Sequence, residues 1–329
     1  MGSGVIEQRG WLERLGWLRR NVLGLNRRNQ DLVLRHNSPR LIGLVDHKAR
    51  TKEVLARHGI TVPATYARCA RTRELMSLDA EIARYAEFVL KPARGAGGEG
   101  VLVIAGRDGD RLVKVSGTKL TRRDLLAHAA DILGGAFSLS QARDEVLVEQ
   151  RLRTDAALAP YSPSGVADLR VLLAWGVPLL TMLRLPTHTS EGRANLHMGG
   201  IGVGLDLATG VPRYAVCRDR PIELHPDTRR PLCDVRIPDW RGVLLLAARS
   251  FDAVPLGYLG VDIVIDARLG PVILELNARP GLSIQLANRR GLRPVLAALA
   301  RELPAGESLE AEKRVALGVA LSESCEEEG

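Results

Sequence analysis

Two apolar runs separated by a short turn, LGYLGVDIVID (256–266) and GPVILELN (270–277), predict a buried β-hairpin. Polar side chains interrupt the second run at Glu275 and Asn277, which are two residues apart and therefore point to one face of a strand. Two interpretations are open at this point. An edge strand with a solvated polar face has this pattern, and so does a site for a hard cation, since Mg²⁺ is held by one or two carboxylates plus substrate phosphates.

The hairpin brings a third oxygen ligand to the same place. Asp262 lies in the first run, so three side chains that carry oxygen atoms are expected to converge on one face. This convergence favours a cation site over a solvated edge.

A glycine-rich loop, KPARGAGGEG (91–100), follows another predicted strand. It is not a Walker A motif, because its lysine precedes the glycines. Glycines still allow backbone N–H groups to approach phosphate oxygens closely, although a plain glycine-rich turn would have the same composition. Together with the three oxygen ligands, the loop predicts a site for a nucleotide with Mg²⁺.

The composition indicates a globular chain of two or three lobes, since its 329 residues are 46% hydrophobic. No apolar run reaches the roughly 20 residues that cross a bilayer, and the N-terminus lacks a signal-peptide pattern, so a cytoplasmic location is expected. The four cysteines are scattered, without a CxxC pair, and are expected to be free thiols.

The net charge of +8 favours an anionic partner. Much of the excess lies before residue 41, where Trp11, Leu12, Leu15, Trp17 and Leu18 have helix-like spacing among eight arginines. These arginines are Arg9, Arg14, Arg19, Arg20, Arg27, Arg28, Arg35 and Arg40. A basic amphipathic helix of this kind lies on a membrane, on a partner protein or on the body of its own chain. Nucleic acid is disfavoured, since only 4% of the residues are aromatic.

The rest of the chain predicts an alternation of helices and strands. Helices are expected over 46–59, with Asp46 as the N-cap, and over 122–133, 241–254 and 291–301. Five prolines between 209 and 240 predict an irregular excursion that carries a small hairpin. The tail is expected to contain a helical stretch followed by a disordered acidic end.

Seven motifs in this order resemble those of the ATP-grasp ligases. They are VDHK (45–48), FVLKPARGAGGEG (88–100), VEQRL (148–152), DLR (168–170), GRANLHMGG (192–200), GVDIVID (260–266) and LELNARPGL (274–282). Within the superfamily the chain most resembles the RimK-like branch, namely the alpha-L-glutamate ligase-like proteins that are related to sugar-transfer-associated ATP-grasp proteins. The resemblance covers roughly residues 26 to 292.

The resemblance implies an α+β ATP-grasp fold in which two α/β lobes clasp ATP. Only about 45 residues precede VDHK, so a short helical segment is expected in place of the complete domain that usually comes first. The implied organisation is a basic helical segment at 1–45, the start of the ATP-grasp region at 46–87, a central lobe at 88–152, a C-terminal lobe with the metal site at 153–303, and an acidic, partly disordered tail at 304–329.

The resemblance also implies roles for individual residues. The implied nucleotide contacts are Lys48 and Lys91 at the phosphates, and Gly95, Gly97, Gly98, Glu99 and Gly100 in the loop that covers the phosphates. Glu149, Gln150, Arg151 and Leu152 resemble the hinge whose backbone meets adenine, with Asp168 at the ribose and with Arg193 and Asn195 near the phosphates and metals. The implied metal ligands are Asp262, Glu275 and Asn277, and the implied catalytic cations are Lys91, Arg184 and Arg279. For Arg170 and Arg184 the alternative to a role in the site is a structural ion pair. For His197 the alternative to a substrate contact is a satisfied loop histidine, and His225 is likewise either functional or a satisfied loop residue.

The implied activity is an ATP-dependent carboxylate–amine ligase that uses ATP and two Mg²⁺ ions, with Mn²⁺ as a substitute. An acyl phosphate forms first, and an amine then displaces phosphate to give an amide or peptide bond, with glutamate or another amino acid as a substrate. The alternative is an inactive ATP-binding regulatory or scaffold module, and a third candidate is a small-molecule kinase. The expected partners are an amino acid, a peptide or another carboxylate or amine as substrate, with no nucleic acid. A membrane or protein contact through the basic N-terminal helix and an oligomer are left open.

Overall fold

The computed structural model describes residues 11–95, 97–138, 142–163, 165–303 and 309–327, which form an α+β fold of two antiparallel sheets flanked by helices. The helices are α1 (Trp11–Asn21), α2 (Leu25–Arg27) with a π-helical continuation (Arg28–Leu34), α3 (Pro39–Val45), α4 (Lys48–Arg57), α5 (Leu75–Ile82), α6 (Arg122–Gly134), α7 (Trp240–Ala253), α8 (Ser283–Ala287), α9 (Leu292–Glu302) and α10 (Ala311–Glu327). None of these helices is both long enough and apolar enough to cross a membrane.

The smaller sheet has six strands in the order β1-β6-β2-β3-β4-β5. They are β1 (Thr65–Cys69), β2 (Phe88–Pro92), β3 (Leu102–Asp108), β4 (Arg111–Lys114), β5 (Lys119–Leu120) and β6 (Val146–Glu149). Helices α5 and α6 pack on this sheet and bury residues such as Leu78 and Leu125 against Phe88 and Leu90.

The larger sheet has seven strands in the order β11-β10-β9-β8-β7-β12-β13. They are β7 (Asp168–Ala174), β8 (Val177–Leu185), β9 (Ile201–Leu205), β10 (Pro212–Cys217), β11 (Arg220–Pro221), β12 (Tyr258–Asp266) and β13 (Gly270–Asn277). Alternate residues of β7 belong to two separate cores: Val171 packs with α7, and Leu172 packs with α8, α9 and the N-terminal helices. Both faces are therefore covered, as the apolar runs of β7 and β12 require.

The N-terminal segment packs on the C-terminal half of the chain, which is one of the alternatives that the sequence leaves open. The buried Asn37 amide donates to the carbonyls of Tyr258 and Ala278, and its oxygen accepts from the Tyr258 N–H. Gln285 in turn bonds both backbone groups of Leu23. The helical character expected for the segment before residue 46 is confirmed, while Arg9 lies outside the described residues.

Two local predictions need correction. Asp46 is not the N-cap of the helix that follows, because α4 begins at Lys48 with His47 at the N-cap position. At the other end, α10 continues through the acidic residues to Glu327, where the sequence predicts disorder, and it buries Arg314 and Leu321. The small hairpin predicted within 209–240 is present as β10 and β11.

Candidate nucleotide and metal site

The predicted hairpin is formed by β12 and β13, and its register places Asp262 directly opposite Glu275. The next pair is Ile263 with Ile273, so Leu274 is an extra residue and β13 carries a β-bulge. Ile273 and Leu276 consequently pack in the same core although they are three residues apart. Leu274, Glu275 and Asn277 are left on the opposite face, which is the face of the candidate site.

The three predicted metal ligands lie together on that face. The Asn277 amide nitrogen donates to Asp262 Oδ2 at 3.1 Å and lies 3.4 Å from Glu275 Oε1. Asp262 is 1% exposed, whereas the Glu275 side chain is 31% exposed and open to a ligand. Two carboxylates and one amide suit a hard divalent cation. Within the described part of the chain no cluster of three His, Cys, Asp or Glu side chains forms a metal site. Two carboxylates and one amide fill only part of an octahedral Mg²⁺ shell, which leaves positions for phosphate oxygens and water.

A buried ionic network surrounds Asp262. Arg170 donates to both of its carboxylate oxygens, at 2.5 and 2.6 Å, and Arg184 donates to Oδ2 at 2.8 Å. Arg184 also pairs with Asp168, which lies opposite it in the register of β7 and β8. With the Asn277 amide included, Oδ2 accepts three hydrogen bonds and Oδ1 accepts one, so the second lone pair of Oδ1 is the position left for a cation.

The network bears on the two alternatives for the arginines. Arg170 and Arg184 form ion pairs with Asp262, and Arg184 bridges two carboxylates in the sheet, while the catalytic role of Arg184 stays a prediction. Burial raises the pKa of Asp262, but Arg170 and Arg184 outweigh burial and hold this pKa below its usual range. Burial raises the pKa of Asp168 to about 7, despite the opposing effect of Arg184. The structure joins Asp168 to Arg184, and its contact with a ribose stays a prediction.

Lys48 and Lys91, the two lysines predicted for phosphates, come from different elements and lie near the acidic groups. Lys48, at the start of α4, donates to the Gly95 carbonyl and lies 3.5 Å from Glu275. Lys91, on β2, is buried and bonds Glu149 Oε2 at 2.7 Å. The Lys48 ammonium group thus connects the glycine-rich loop to Glu275.

The sequence prediction missed a third lysine, Lys52, which lies one helical turn after Lys48. Its ammonium group donates to Glu149 Oε2 at 2.5 Å, so two buried lysines share one carboxylate oxygen. Burial, followed by the charge of Lys91, lowers the pKa of Lys52 to about 7. Burial alone would also lower the pKa of Lys91, but Glu149 outweighs burial and raises this pKa. The i, i+4 spacing of Lys48 and Lys52 is the sequence signal that could have identified Lys52.

The lowered pKa of Lys52 predicts that stability depends on pH. Because this pKa is about 7 in the folded chain and about 10.4 in an unfolded chain, the unfolded state binds more protons between these values. The free energy of unfolding of the wild type, relative to Lys52→Met, should therefore rise as the pH increases from 7 to 10. Urea unfolding of both proteins across this range measures the difference, and a difference that is constant or falls with pH would contradict the assignment.

The other oxygen of Glu149, Oε1, is buried and has no hydrogen-bond partner among the described residues. A buried acceptor without a partner is costly, so a ligand donor is expected to reach it. Next to Glu149 along the chain, Leu152 packs with Val264 and Val272, and Leu274 lies against the same cluster. The site face thus has an apolar end at Leu152, Val264 and Val272 and an ionic end at Asp262 and Glu275.

The segment after Glu149, which is predicted to bind adenine through its backbone, is held on both sides. The Gln150 backbone N–H donates to the Ala64 carbonyl, and the Arg151 guanidinium pairs with Glu87. Leu152 is buried. Leu152 therefore offers an apolar surface to the site face, and the contacts of Gln150 and Arg151 with a nucleotide stay predictions.

The glycine-rich loop meets the segment that contains Arg193 and Asn195. A β-carbon on Gly98 would lie 3.5 Å from Arg193 Cδ, and one on Gly97 would lie 3.9 Å from Asn195 Nδ2. Gly97, Gly98 and Gly100 have positive φ angles, between +64° and +79°, which only glycine adopts readily. Glu99 is exposed on this loop. Elements predicted to face the phosphates are therefore neighbours, although they lie about 100 residues apart in the sequence.

The remaining candidate residues have partners of their own. Arg279 donates to both carboxylate oxygens of Asp46 at 2.7 Å, and both side chains are about half exposed. His225 is completely buried; its Nδ1 accepts backbone N–H groups of Asp227 and Thr228, so it is a satisfied structural histidine. The backbone N–H of His197 donates to the Asn195 side chain, which caps the turn 196–198.

The chain has structural similarity to several ATP-grasp enzymes. The ATP-grasp ligase PsnB complexed with a minimal precursor is 18% identical with a TM-score of 0.41, and the match covers 82% of this chain and 64% of PsnB. D-alanine–D-alanine ligase from Bacillus anthracis is 14% identical with a TM-score of 0.42, covering 89% of this chain and 73% of the ligase. The enzyme from Coxiella burnetii is 13% identical with a TM-score of 0.43, covering 88% and 62%. The chain thus spans less than two thirds of the length of PsnB.

The sequence comparison is more specific. No curated protein has significant sequence similarity to the chain. The sequence model of one family, described as sugar-transfer associated ATP-grasp, matches residues 27–301, which is most of the chain. The predicted α+β ATP-grasp fold is therefore confirmed, and the chain belongs to the sugar-transfer associated ATP-grasp family.

Proposed function

We propose that this protein is an ATP-dependent ligase that joins a carboxylate to an amine through an acyl phosphate. The observation that carries the proposal is the division of one sheet face into an apolar end and an ionic end. Leu152, Val264 and Val272 form the apolar end, and Asp262 and Glu275 form the ionic end. An adenine ring requires the first environment and a triphosphate with its cation requires the second.

The adenine ring is proposed to lie on the apolar cluster, with its amino group donating to Glu149 Oε1. Lys48 and Lys91 then neutralise the phosphates, and the loop at 95–100 covers them together with Arg193 and Asn195. Asp262, Glu275 and Asn277 would hold Mg²⁺, which when bound neutralises phosphate charge. Lys52 acts as a positioning residue, since it fixes Glu149 through Oε2 and leaves Oε1 free.

In the proposed reaction a substrate carboxylate attacks the γ-phosphate of ATP, giving an acyl phosphate and ADP. An amine then attacks the acyl carbon, phosphate leaves and an amide bond forms. Lys91 and the exposed Arg279 supply positive charge near the transferring group, whereas Arg184 acts by orienting Asp262. The glycine-rich loop excludes water that would hydrolyse the acyl phosphate. We assign the chain to the RimK-like branch of these ligases, with glutamate or another amino acid as a substrate.

The unsatisfied oxygen of Glu149 predicts a preference among nucleotides. ATP should bind at least about tenfold more tightly than inosine triphosphate, because the 6-oxo group of inosine cannot donate a hydrogen bond to Oε1. Isothermal titration with both nucleotides and Mg²⁺ measures this ratio. Equal affinities would place the base elsewhere.

The reaction class can be tested before the substrate is identified. The purified protein is incubated with Mg²⁺, ATP and pooled carboxylic acids in the presence of hydroxylamine, which converts an acyl phosphate into a stable hydroxamate. A hydroxamate that forms with stoichiometric ADP, in the wild type but not in Glu275→Gln, would support the ligase and identify its carboxylate. A stable phosphorylated product without hydroxamate would indicate a kinase, and ATP binding without turnover would favour the inactive regulatory or scaffold module.

A further inference from the structure

The N-terminal helices bury one side of their surface and leave large apolar side chains on the other. Leu23 and Val33 are buried against the C-terminal half of the chain. Trp11, Leu18 and Leu25 are 73%, 47% and 58% exposed. Trp11 and Leu18 are seven residues apart in α1, so they lie on the same side of this helix. Packing against the body of the protein therefore accounts for only part of the amphipathic pattern.

Arginines flank these exposed apolar residues. Arg19 and Arg27 line, with Leu25 and Arg293, an open concavity of about 500 Å³ between α1, α2 and α9. The side chains of Arg19 and Arg27 form no ion pair with any described residue, and Arg293 donates to the Arg19 carbonyl. Exposed arginines outnumber exposed acids over residues 11–40, where the arginines are Arg19, Arg20, Arg27, Arg35 and Arg40 and the acids are Glu13 and Asp31.

We propose that this N-terminal basic surface, formed by Trp11, Leu18, Arg19, Leu25, Arg27 and Arg293, docks on an anionic lipid bilayer. Tryptophan and leucine side chains that project between arginines match the boundary between lipid headgroups and acyl chains. The arginines match the negative potential of the headgroups. A nucleic acid fits less well, because a single exposed aromatic residue does not provide a series of stacking platforms.

Co-sedimentation with lipid vesicles tests the surface independently of the enzymatic reaction. The full chain should bind vesicles of mixed phosphatidylglycerol and phosphatidylcholine, and this binding should weaken as salt increases. Vesicles of phosphatidylcholine alone should bind much less. Absence of binding to the anionic vesicles near physiological ionic strength, or equal binding to both kinds, would overturn the proposal.

Two pairs of variants locate the binding. Arg19→Gln/Arg27→Gln should weaken binding about tenfold or more, whereas Arg241→Gln/Arg249→Gln removes the same charge from the exposed side of α7 and should have little effect. Leu18→Glu/Leu25→Glu should abolish binding, whereas Leu269→Glu, in the exposed β12–β13 turn, should not. Unchanged thermal unfolding would show that all variants are folded. Equal losses of vesicle binding in a surface variant and its control would overturn the proposal. Binding of an RNA oligonucleotide through the same arginines, without binding of the vesicles, would also overturn it.

Discussion

Glu275→Gln is expected to eliminate Mg²⁺-dependent ATP turnover, with a loss of about 1000-fold, while leaving the fold intact. Glu275 is more accessible than Asp262, and its side chain lies beside Lys48 and Asn277. The amide of glutamine retains an oxygen but loses the charge that neutralises the cation. The fold should tolerate the change, because the Glu275 side chain is 31% exposed and Lys48, its ion-pair partner, still donates to the Gly95 carbonyl.

The measurement compares ATP binding with and without Mg²⁺ in the wild type and the variant, followed by ADP release. Mg²⁺ should strengthen ATP binding in the wild type and should no longer do so in Glu275→Gln. Glu302→Gln, which changes an exposed carboxylate at the end of α9, serves as the matched control. If Glu275→Gln retained the response to Mg²⁺, the metal would have to be held by other residues.

Asp262→Ala is expected to produce the largest loss of stability, about 3–5 kcal/mol of unfolding free energy. Asp262 accepts hydrogen bonds from Arg170 and Arg184, and its removal would leave two buried guanidinium groups with a single carboxylate, Asp168. Asp262→Asn should be intermediate, because the amide oxygen still accepts one hydrogen bond although the charge is lost.

Urea denaturation of the three proteins measures the effect. Arg279→Ala provides the comparison, since it breaks an ion pair with Asp46 that is about half exposed, and it should lower the stability by less than about 1 kcal/mol. Similar losses in Asp262→Ala and Arg279→Ala would show that the buried network contributes no more than a surface pair. The variants of the two acidic residues are distinguishable in these measurements. Glu275→Gln should affect cation binding alone, whereas Asp262→Ala should affect the stability of the fold as well.

The sequence predicted the parts of the site that depend on local pattern. Strand periodicity placed Glu275 and Asn277 on one face, and the short turn at 267–270 placed Asp262 opposite them. The position of Lys91 near the end of a strand, four residues before Gly95, was also a local feature. The family resemblance supplied the order of the motifs, and the match over residues 27–301 confirmed the superfamily.

The tertiary structure decided what depends on contacts between distant segments. The sharing of Glu149 by Lys52 and Lys91 joins α4, β2 and β6, and no periodicity relates these residues. The pairing of Arg184 with both Asp168 and Asp262 follows from the strand order β8-β7-β12, which is not the order of the chain. The bulge at Leu274 lets Ile273 and Leu276 pack into one core, and it changes which side chains face the site. Local sequence therefore determined which groups could form a nucleotide site, and long-range packing determined which of them are paired, buried or free, because charge pairing and desolvation arise only when distant segments meet.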